Sequence, residues 1–424
     1  MKLNKITNII LAIAILVSSQ FACQALSPTP SVTQLPQPAP TESIPVITDA
    51  PIVEPTQTET TFDISQFSDD EIMAGIQFAL DGYADAYANN DPDLLEEVVD
   101  QENKPFRRIV RSRFDDFQKS SSGGQYTFEY ILLDVTRREF GFVIGHLRTA
   151  GGFEANWMFR YLGDRWVLSE PTVEQVGEPV ITETEHFNFT TYPWADDVNP
   201  QIMSMLDTAR DNVEKVLGKV PEEKANVIIL PIYGLRPANS SLSIASYISN
   251  QGTVKNVIQI NTPYSYAYSF YDPALGWDGD LQTTLTHEYT HMTHALSFEN
   301  AGALSDWMSE GIAEYVAGAT ENKYWACYAY NSGTFIPIID ESDSVYKQDL
   351  MHMYLLEQDF SLSYDFATSL VDFTVEKHGG LDGFWKLATA LDDTSDFKKA
   401  VQKAFGISYE QYNKEWLDWL KKQC

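Results

Sequence analysis

The chain has 424 residues, of which 44% are hydrophobic, and it carries a formal net charge of −31 at pH 7. This composition is typical of an exported globular protein. Nucleic acids and anionic membrane surfaces are themselves negatively charged, so the acidic balance argues against both as direct partners. The charge says little about a substrate.

The first 25 residues are predicted to be a secretory signal peptide. Two lysines precede an apolar run at residues 6–17, which is too short to predict a membrane span. Cys23 then lies where a bacterial lipoprotein carries its lipid, although Gln20 and Phe21 depart from the usual pattern before such a cysteine. Lipidation at Cys23 and simple cleavage both stay open, and lipidation is favoured.

Residues 26–61 are rich in Pro, Thr, Gln and Ser. Such a segment has too little apolar surface to offset the entropy of ordering, so it is predicted to be a disordered tether. A tether directly after a lipidated Cys23 would hold a folded domain clear of a membrane. The expected location is therefore the bacterial cell surface or the extracellular space, with membrane contact only through a lipid at Cys23.

Residues 62–175 are predicted to form a small α+β domain, in which two helical stretches precede four segments of β-type content. The helices are predicted at Asp69–Val99, with a break near Asn89 to Pro92, and at Pro105–Lys119; the strands are predicted at Tyr126–Leu133, Phe140–Thr149, Ala155–Tyr161 and Arg165–Leu168. This order, ending in Asp164-Arg165-Trp166, resembles an NTF2-like cone. His146 is interpreted as a strand residue with satisfied hydrogen bonds.

A second domain is predicted at residues 182–424. Its first part contains the strand His186–Thr191, the helix Asn199–Leu217 ended by Gly218, and the strands Asn226–Leu230 and Lys255–Asn261. The segment from Pro263 to Trp277 is rich in aromatic residues. These side chains either line a cleft or pack in a core, and packing is the more common role.

His287, Glu288 and His291 form the pattern H-E-x-x-H. Two imidazoles four residues apart project from one face of a helix, so both can reach the same metal ion. The apolar residues of this segment form a separate stripe, which consists of Leu281, Leu285, Tyr289, Met292 and Leu296. The pattern predicts an amphipathic helix with Asp280 as its N-cap and a zinc site on its histidine face.

A catalytic zinc requires three protein ligands and one open position. Glu310, with eighteen residues between it and His291, is predicted to supply the third ligand. It lies on a second helix, predicted to begin after Ser305 and to stop at Gly318. His294 is one helical turn beyond the ligand pair, so it is interpreted as a cleft residue or a neighbour of the ligands rather than as a ligand.

The segment Trp307–Tyr315, WMSEGIAEY, follows H-E-x-x-H here as W-x-S-E-G-x-A-E-Y does in the gluzincin metallopeptidases with peptidase MA-like domains. The resemblance covers roughly residue 182 to the C-terminus. It implies one Zn²⁺ per chain bound by His287, His291 and Glu310, with Glu288 as the general base. It also implies that the Glu314 carboxylate orients a ligand histidine.

Family members place a tyrosine just before a helix that corresponds to Phe366–His378, and Tyr364 occupies that position. Tyr364 is therefore a candidate donor to the reaction oxyanion; the alternative is a packed tyrosine. In related gluzincins a strand at the place of Lys255–Asn261 edges the cleft, where an extended peptide could pair with it. The aminopeptidase signature G-x-M-E-N is not found, so an endopeptidase is favoured.

Two cysteines remain besides Cys23. Cys327 and Cys424 either form a disulfide outside the cell or stay as two free thiols. A closing helix is predicted after Ser408, with Trp416 and Trp419 as structural residues.

The predicted fold class is α+β, with an NTF2-like cone followed by a gluzincin domain. The predicted function is zinc-dependent hydrolysis of peptide bonds in a peptide or protein substrate, without a nucleic-acid partner. Two alternatives stay open. One is a non-catalytic surface binding protein that contains zinc, and the other is ligand binding centred on the N-terminal domain.

Overall fold

The computed structural model describes residues 62–120, 128–236, 243–251, 254–268, 270–298, 304–319, 322–344, 346–356 and 360–424. The predicted signal peptide, the tether and the candidate lipidation site Cys23 lie outside these residues. Within the described ranges, no helix is both long enough and apolar enough to cross a membrane.

Among the described residues, three α-helices precede the first sheet: α1 (Asp69–Asn89), α2 (Pro92–Val98) and α3 (Lys104–Ser120). Ser68 caps α1 reciprocally, since its hydroxyl accepts from the Glu71 amide while the Glu71 carboxylate accepts from the Ser68 amide. Asn90 adopts a left-handed conformation with φ 52°, and Pro92 opens α2. The predicted break between these two helices is therefore present.

The first sheet is an antiparallel meander in chain order: β1 (Tyr130–Arg137), β2 (Phe142–Thr149), β3 (Glu154–Tyr161) and β4 (Trp166–Leu168). Its buried side chains share one core with the three helices. On β2, His146 lies between the carboxylates of Asp134 and Glu154, with N–O distances of 3.1 and 2.9 Å. Helices followed by a four-stranded meander match the prediction, whereas the NTF2-like resemblance itself stays a prediction.

The second sheet contains β5 (Val180–Glu183), β6 (Phe187–Thr191), β7 (Ala225–Leu230), β8 (Ala245–Gln251) and β9 (Val254–Asn261) in the order β5-β6-β7-β9-β8. The central strands β6, β7 and β9 are parallel, and β5 and β8 pair antiparallel at the two ends. Helix α4 (Asn199–Leu217) connects β6 to β7 and ends at Gly218 with φ 75°.

This strand order corrects one expectation. The strand predicted at Lys255–Asn261 is not an edge strand, because β9 pairs with β7 on one side and with β8 on the other. The edge on this side of the sheet is β8, for which no strand was predicted. The antiparallel pairing of β8 with β9 depends on contacts between the two strands. It therefore cannot be predicted from the residues of β9 alone.

The remaining chain is helical: α5 (Gly276–Ser297), α6 (Asp306–Ala317), α7 (Asn322–Asn331), a 3₁₀ segment (Leu350–Leu355), α8 (Phe360–Lys377), α9 (Gly380–Thr394), α10 (Phe397–Phe405) and α11 (Tyr409–Leu420). These helices and the second sheet share one continuous core. Helix α6 has the predicted bounds, with Ser305 as N-cap and Gly318 in the left-handed conformation after it. Ser408 caps α11 through the Gln411 amide.

Two predicted helix starts are wrong. Helix α5 begins at Gly276 rather than after Asp280, which lies inside the helix, where burial raises the pKa of its carboxyl to about 7. Helix α8 begins at Phe360, so Tyr364 lies in its second turn and does not precede it. In both cases the residues before the predicted start continue the helix, so a typical N-terminal residue alone misplaces its beginning.

The aromatic segment after β9 packs between the two halves of the molecule. Tyr266 is 2% exposed and belongs to the core of the N-terminal half. Its hydroxyl lies 2.6 Å from the Tyr83 hydroxyl, and its ring centre lies 5.4 Å from those of Phe106 and Trp157. The Arg113 guanidinium covers the ring at 4.5 Å. Packing, the favoured interpretation, is therefore what the structure shows for Tyr266.

Glu170, two residues after the end of β4, forms hydrogen bonds with the same aromatic segment. Its carboxylate accepts hydrogen bonds from the Tyr233 amide at 2.8 Å, the Tyr266 amide at 2.8 Å and the Ser265 hydroxyl at 3.1 Å. The side chain is 2% exposed. Burial raises the pKa of Glu170 to about 7, although the three donors partly offset this effect.

The buried Glu170 predicts a specific dependence of stability on pH. Between its usual pKa of 4.5 and its folded pKa of about 7, the folded chain holds a proton that the unfolded chain releases, so rising pH favours unfolding. From pH 5 to pH 8, the free energy of unfolding of the parent should fall by at most about 3 kcal/mol more than that of Glu170→Gln. Urea unfolding of both proteins at several pH values measures this difference. Equal pH dependence in the two proteins would contradict it, and Glu185→Gln, at an exposed site, is the control.

A disulfide joins Cys327 on α7 to Cys424, the last residue of the chain, across a sequence separation of 97 residues. Closing a loop of this length restricts the unfolded chain and is expected to stabilise the fold by about 2–4 kcal/mol.

The free energy of unfolding of Cys424→Ser should be lower than that of the parent by this amount. The double variant Cys327→Ser/Cys424→Ser should lose no more than roughly 1 kcal/mol beyond it, since the bond is already gone. Alkylation of both cysteines in exported protein without reductant would show that the bond is absent.

Candidate metal centre

Helices α5 and α6 bring the predicted metal ligands together. His287 and His291 project from one face of α5, and Glu310 projects from α6. Gly311 allows α6 to approach α8 closely, because a Cβ atom there would lie 2.7 Å from the Ala367 carbonyl oxygen. Gly311 thus permits the close packing of α6 on α8 that positions the Glu310 carboxylate.

The three side chains form a compact donor set. The Nε2 atoms of His287 and His291 lie 2.9 Å apart, and Glu310 Oε2 lies 3.3 and 3.4 Å from them. Among the described residues, this is the one group of three or more potential ligands whose donor atoms all lie within 4.8 Å of one another. A tetrahedral zinc with bonds of about 2.0–2.1 Å separates its ligand atoms by roughly 3.3 Å, so the donor set fits zinc.

Glu310 is fully buried, and its two oxygens have different surroundings. Oε1 accepts a hydrogen bond from the Tyr354 hydroxyl, whereas Oε2 has no hydrogen-bond partner among the described residues. Burial alone would raise the pKa of Glu310, but the neighbouring His291 and His287 hold it well below its usual range. An ionised, buried oxygen aimed at two imidazole nitrogens is the chemistry of a metal ligand.

Glu314 lies one turn after Glu310 on α6. Its Oε1 is 2.9 Å from His287 Nδ1, so a proton on Nδ1 leaves Nε2 free to bind a metal. The Asn322 amide donates to the other oxygen of Glu314 at 3.1 Å and also reaches the Thr368 hydroxyl. The structure thus places Glu314 where the family resemblance predicts a carboxylate that orients a ligand.

The Glu314 contact predicts an effect on zinc affinity. A carboxylate behind a ligand histidine makes the ring more basic and fixes its orientation, and loss of such a partner typically weakens metal binding about 10- to 100-fold. Glu314→Gln should therefore bind zinc more weakly by that factor in a chelator competition assay. Equal affinity in Glu314→Gln and the parent would remove this role.

The second ligand histidine has different neighbours. His291 Nδ1 lies 3.3 Å from the Ser309 hydroxyl and 3.2 Å from His294 Nε2. Burial, followed by the nearby His291, lowers the pKa of His294 to about 3, so this ring is neutral. His294 faces the nitrogen of His291 that points away from Glu310, which agrees with its interpretation as a neighbour of the ligands. Ser309 lies within the predicted motif, but its contact with His291 was missed.

The Glu288 side chain extends from α5 to the edge strand β8. Its Oε2 accepts a hydrogen bond from the Tyr247 backbone amide at 2.7 Å. Burial raises the pKa of Glu288 above its usual value, while His287 and His291 oppose this effect. A basic carboxylate beside the candidate ligands can accept a proton from a water at the metal. No sequence pattern pointed to Tyr247, since β8 itself was not predicted.

Tyr364 is also brought to this site. It is 5% exposed, and its ring centre lies 6.4 Å from that of His287. The backbone carbonyl of Tyr364 accepts from the Thr368 hydroxyl within α8. The predicted site residues of α5, α6 and α8 therefore meet in one place, and the Cys327–Cys424 disulfide is a separate structural feature on α7.

No protein-family model matches the chain, and no curated protein sequence matches it. Similar solved structures include an M1 zinc metallopeptidase from Deinococcus radiodurans, with TM-score 0.31, 12% identity, and coverage of 70% of this chain and 62% of that one.

Two further solved structures give nearly the same values. A mutant of the Deinococcus radiodurans enzyme has TM-score 0.31 and 13% identity, with coverage of 69% and 61%. A mutant two-domain M1 zinc metallopeptidase bound to L-arginine has TM-score 0.32 and 12% identity, with coverage of 70% and 61%. This chain thus spans less than two thirds of the length of each.

Proposed function

We propose that this protein is a zinc-dependent hydrolase of peptide bonds. The observation that carries the proposal is the convergence of His287 Nε2, His291 Nε2 and Glu310 Oε2 within 3.4 Å of one another, with the Glu288 carboxylate on the next residue of the same helix. A buried set of two imidazoles and one carboxylate with an adjacent carboxylate base suits zinc-assisted hydrolysis.

Each site residue has a separate role in the proposed hydrolysis. When bound, zinc would lower the pKa of a coordinated water toward neutrality and polarise the scissile carbonyl. Glu288 takes the proton of the attacking water and later delivers it to the leaving amine. Burial raises the pKa of Glu288, which makes its carboxylate a stronger base for the first step. The Tyr364 hydroxyl donates to the oxyanion.

The substrate is proposed to be an extended peptide or protein segment. Strand β8 is one of the two edge strands of the second sheet, and its Tyr247 amide donates to Glu288 on α5. An extended substrate adds to such an edge by backbone hydrogen bonds, which require no free terminus. The absence of G-x-M-E-N from the sequence favours internal cleavage. The location proposed from the sequence is the bacterial cell surface, with a lipid at Cys23 as the anchor.

The two alternative functions receive less support. A non-catalytic binding protein would not need a carboxylate base beside an intact ligand set. Ligand binding centred on the N-terminal half would need an accessible interior, yet Tyr266 from the second half is buried there. Binding of small molecules to the whole protein, retained in Glu288→Gln but lost on changes at Tyr83 or Trp157, would favour the second alternative.

The test combines metal analysis with digestion of a peptide library by purified protein. We expect close to one zinc per chain, and loss of both zinc and cleavage in His287→Ala, His291→Ala or Glu310→Ala. His186→Ala is the matched control, since His186 lies just before β6 and outside the donor set. Cleavage that persists in zinc-depleted protein would overturn the proposal.

A further inference from the structure

Tyr354 makes a contact that the proposed chemistry does not use. It lies in the 3₁₀ segment Leu350–Leu355, between α7 and α8, and its hydroxyl donates a hydrogen bond to Glu310 Oε1. The two residues are 44 positions apart in sequence. The contact therefore joins a separate segment to the third candidate ligand.

The contact distinguishes the two oxygens of Glu310. Oε2 faces both imidazole Nε2 atoms, and it has no hydrogen-bond partner among the described residues. Oε1 is occupied by the phenol. Because Glu310 is fully buried, Oε1 would otherwise have to find a donor or bind the metal as well. The phenol thus leaves one oxygen for the metal.

The segment that carries Tyr354 is fixed to the helix that carries Glu310. The Tyr354 amide lies 3.4 Å from a carboxylate oxygen of Asp306, in the first turn of α6. Leu350 and Met353 are fully buried in the core beside it. Backbone and side chain of Tyr354 therefore contact two positions one turn apart on α6, which limits where the phenol can point.

We propose that Tyr354 is a positioning residue that holds Glu310 as a ligand through Oε2 alone. This inference rests on the proposed zinc function. A carboxylate that binds through one oxygen leaves room for the water that hydrolysis requires, whereas a carboxylate that binds through both oxygens occupies an additional position. The same contact assigns Tyr354 a role different from that of an oxyanion donor, because its proton is directed at Glu310.

The test is the zinc dissociation constant of Tyr354→Phe, measured by competition with a chromogenic chelator. The variant removes only the hydroxyl, and loss of such a partner is expected to weaken zinc binding about 10- to 100-fold. Tyr412→Phe is the matched control, since it removes a buried hydroxyl that lies 2.6 Å from Thr374, outside the donor set. It should leave zinc affinity unchanged.

Weakening of zinc binding by tenfold or more in Tyr354→Phe, but not in Tyr412→Phe, supports the inference. Any smaller change overturns it, whatever happens to turnover. The cobalt(II)-loaded protein gives a second readout, since its visible spectrum reports the coordination number and should differ between Tyr354→Phe and the parent. If the parent itself binds no zinc, the proposed function fails; if the parent binds zinc and only the Tyr354→Phe expectation fails, this inference alone is lost.

Discussion

Replacing Glu288 by glutamine is expected to lower turnover by about 10²- to 10⁴-fold, the usual contribution of a positioned general base. Glutamine has nearly the same shape and can still offer an oxygen to the Tyr247 amide, which now lies 2.7 Å from the carboxylate. It cannot accept the proton of the attacking water. Zinc content should stay close to one per chain, because Glu288 is not in the donor set.

Steady-state cleavage of a peptide found in the library digestion, together with metal analysis of the same samples, measures both quantities. Glu185→Gln, at an exposed glutamate, is the control for the change of charge. Full activity in Glu288→Gln would refute the assignment of the base. Loss of zinc in this variant would instead place Glu288 among the groups that maintain the metal site.

The second large effect is expected at Tyr364. A phenol that donates to the oxyanion acts mainly as charge develops, so Tyr364→Phe should lower kcat much more than it raises KM. Loss of one such donor typically costs about 10²- to 10³-fold in kcat. The ring is retained, so its packing near His287, at 6.4 Å between ring centres, should persist. Zinc content and thermal stability should therefore match the parent.

The alternative for Tyr364 is a packed side chain, and its 5% exposure is compatible with that role. If Tyr364→Phe keeps kcat within about threefold of the parent, an effect below roughly 1 kcal/mol, the hydroxyl has no part in catalysis. His378 is no substitute donor, because it follows the far end of α8, where its ring stacks on that of Phe405 at 4.5 Å. Tyr354 is a weaker substitute, because its hydroxyl is already directed at Glu310.

The sequence by itself determined the features whose causes lie within one or two helical turns. Residues that end or begin helices, such as Ser305 and Gly318, act on neighbouring backbone groups, and the structure has α6 between them as predicted. The four-residue spacing of His287 and His291 places both rings on one side of a helix for the same reason. The helix starts predicted at Asp280 and after Tyr364 were too late in the chain, because an aspartate can also lie inside a helix.

Only the tertiary structure decided which distant segments meet. Strand β8 forms the edge beside Glu288, the Tyr247 amide reaches that carboxylate across 41 residues, and the Tyr354 hydroxyl reaches Glu310 across 44. Tyr266 enters the core of the N-terminal half to meet a residue 183 positions away. These contacts follow from the packing of whole helices and sheets, which depends on the sum of many buried surfaces, so no short pattern in the sequence encodes them.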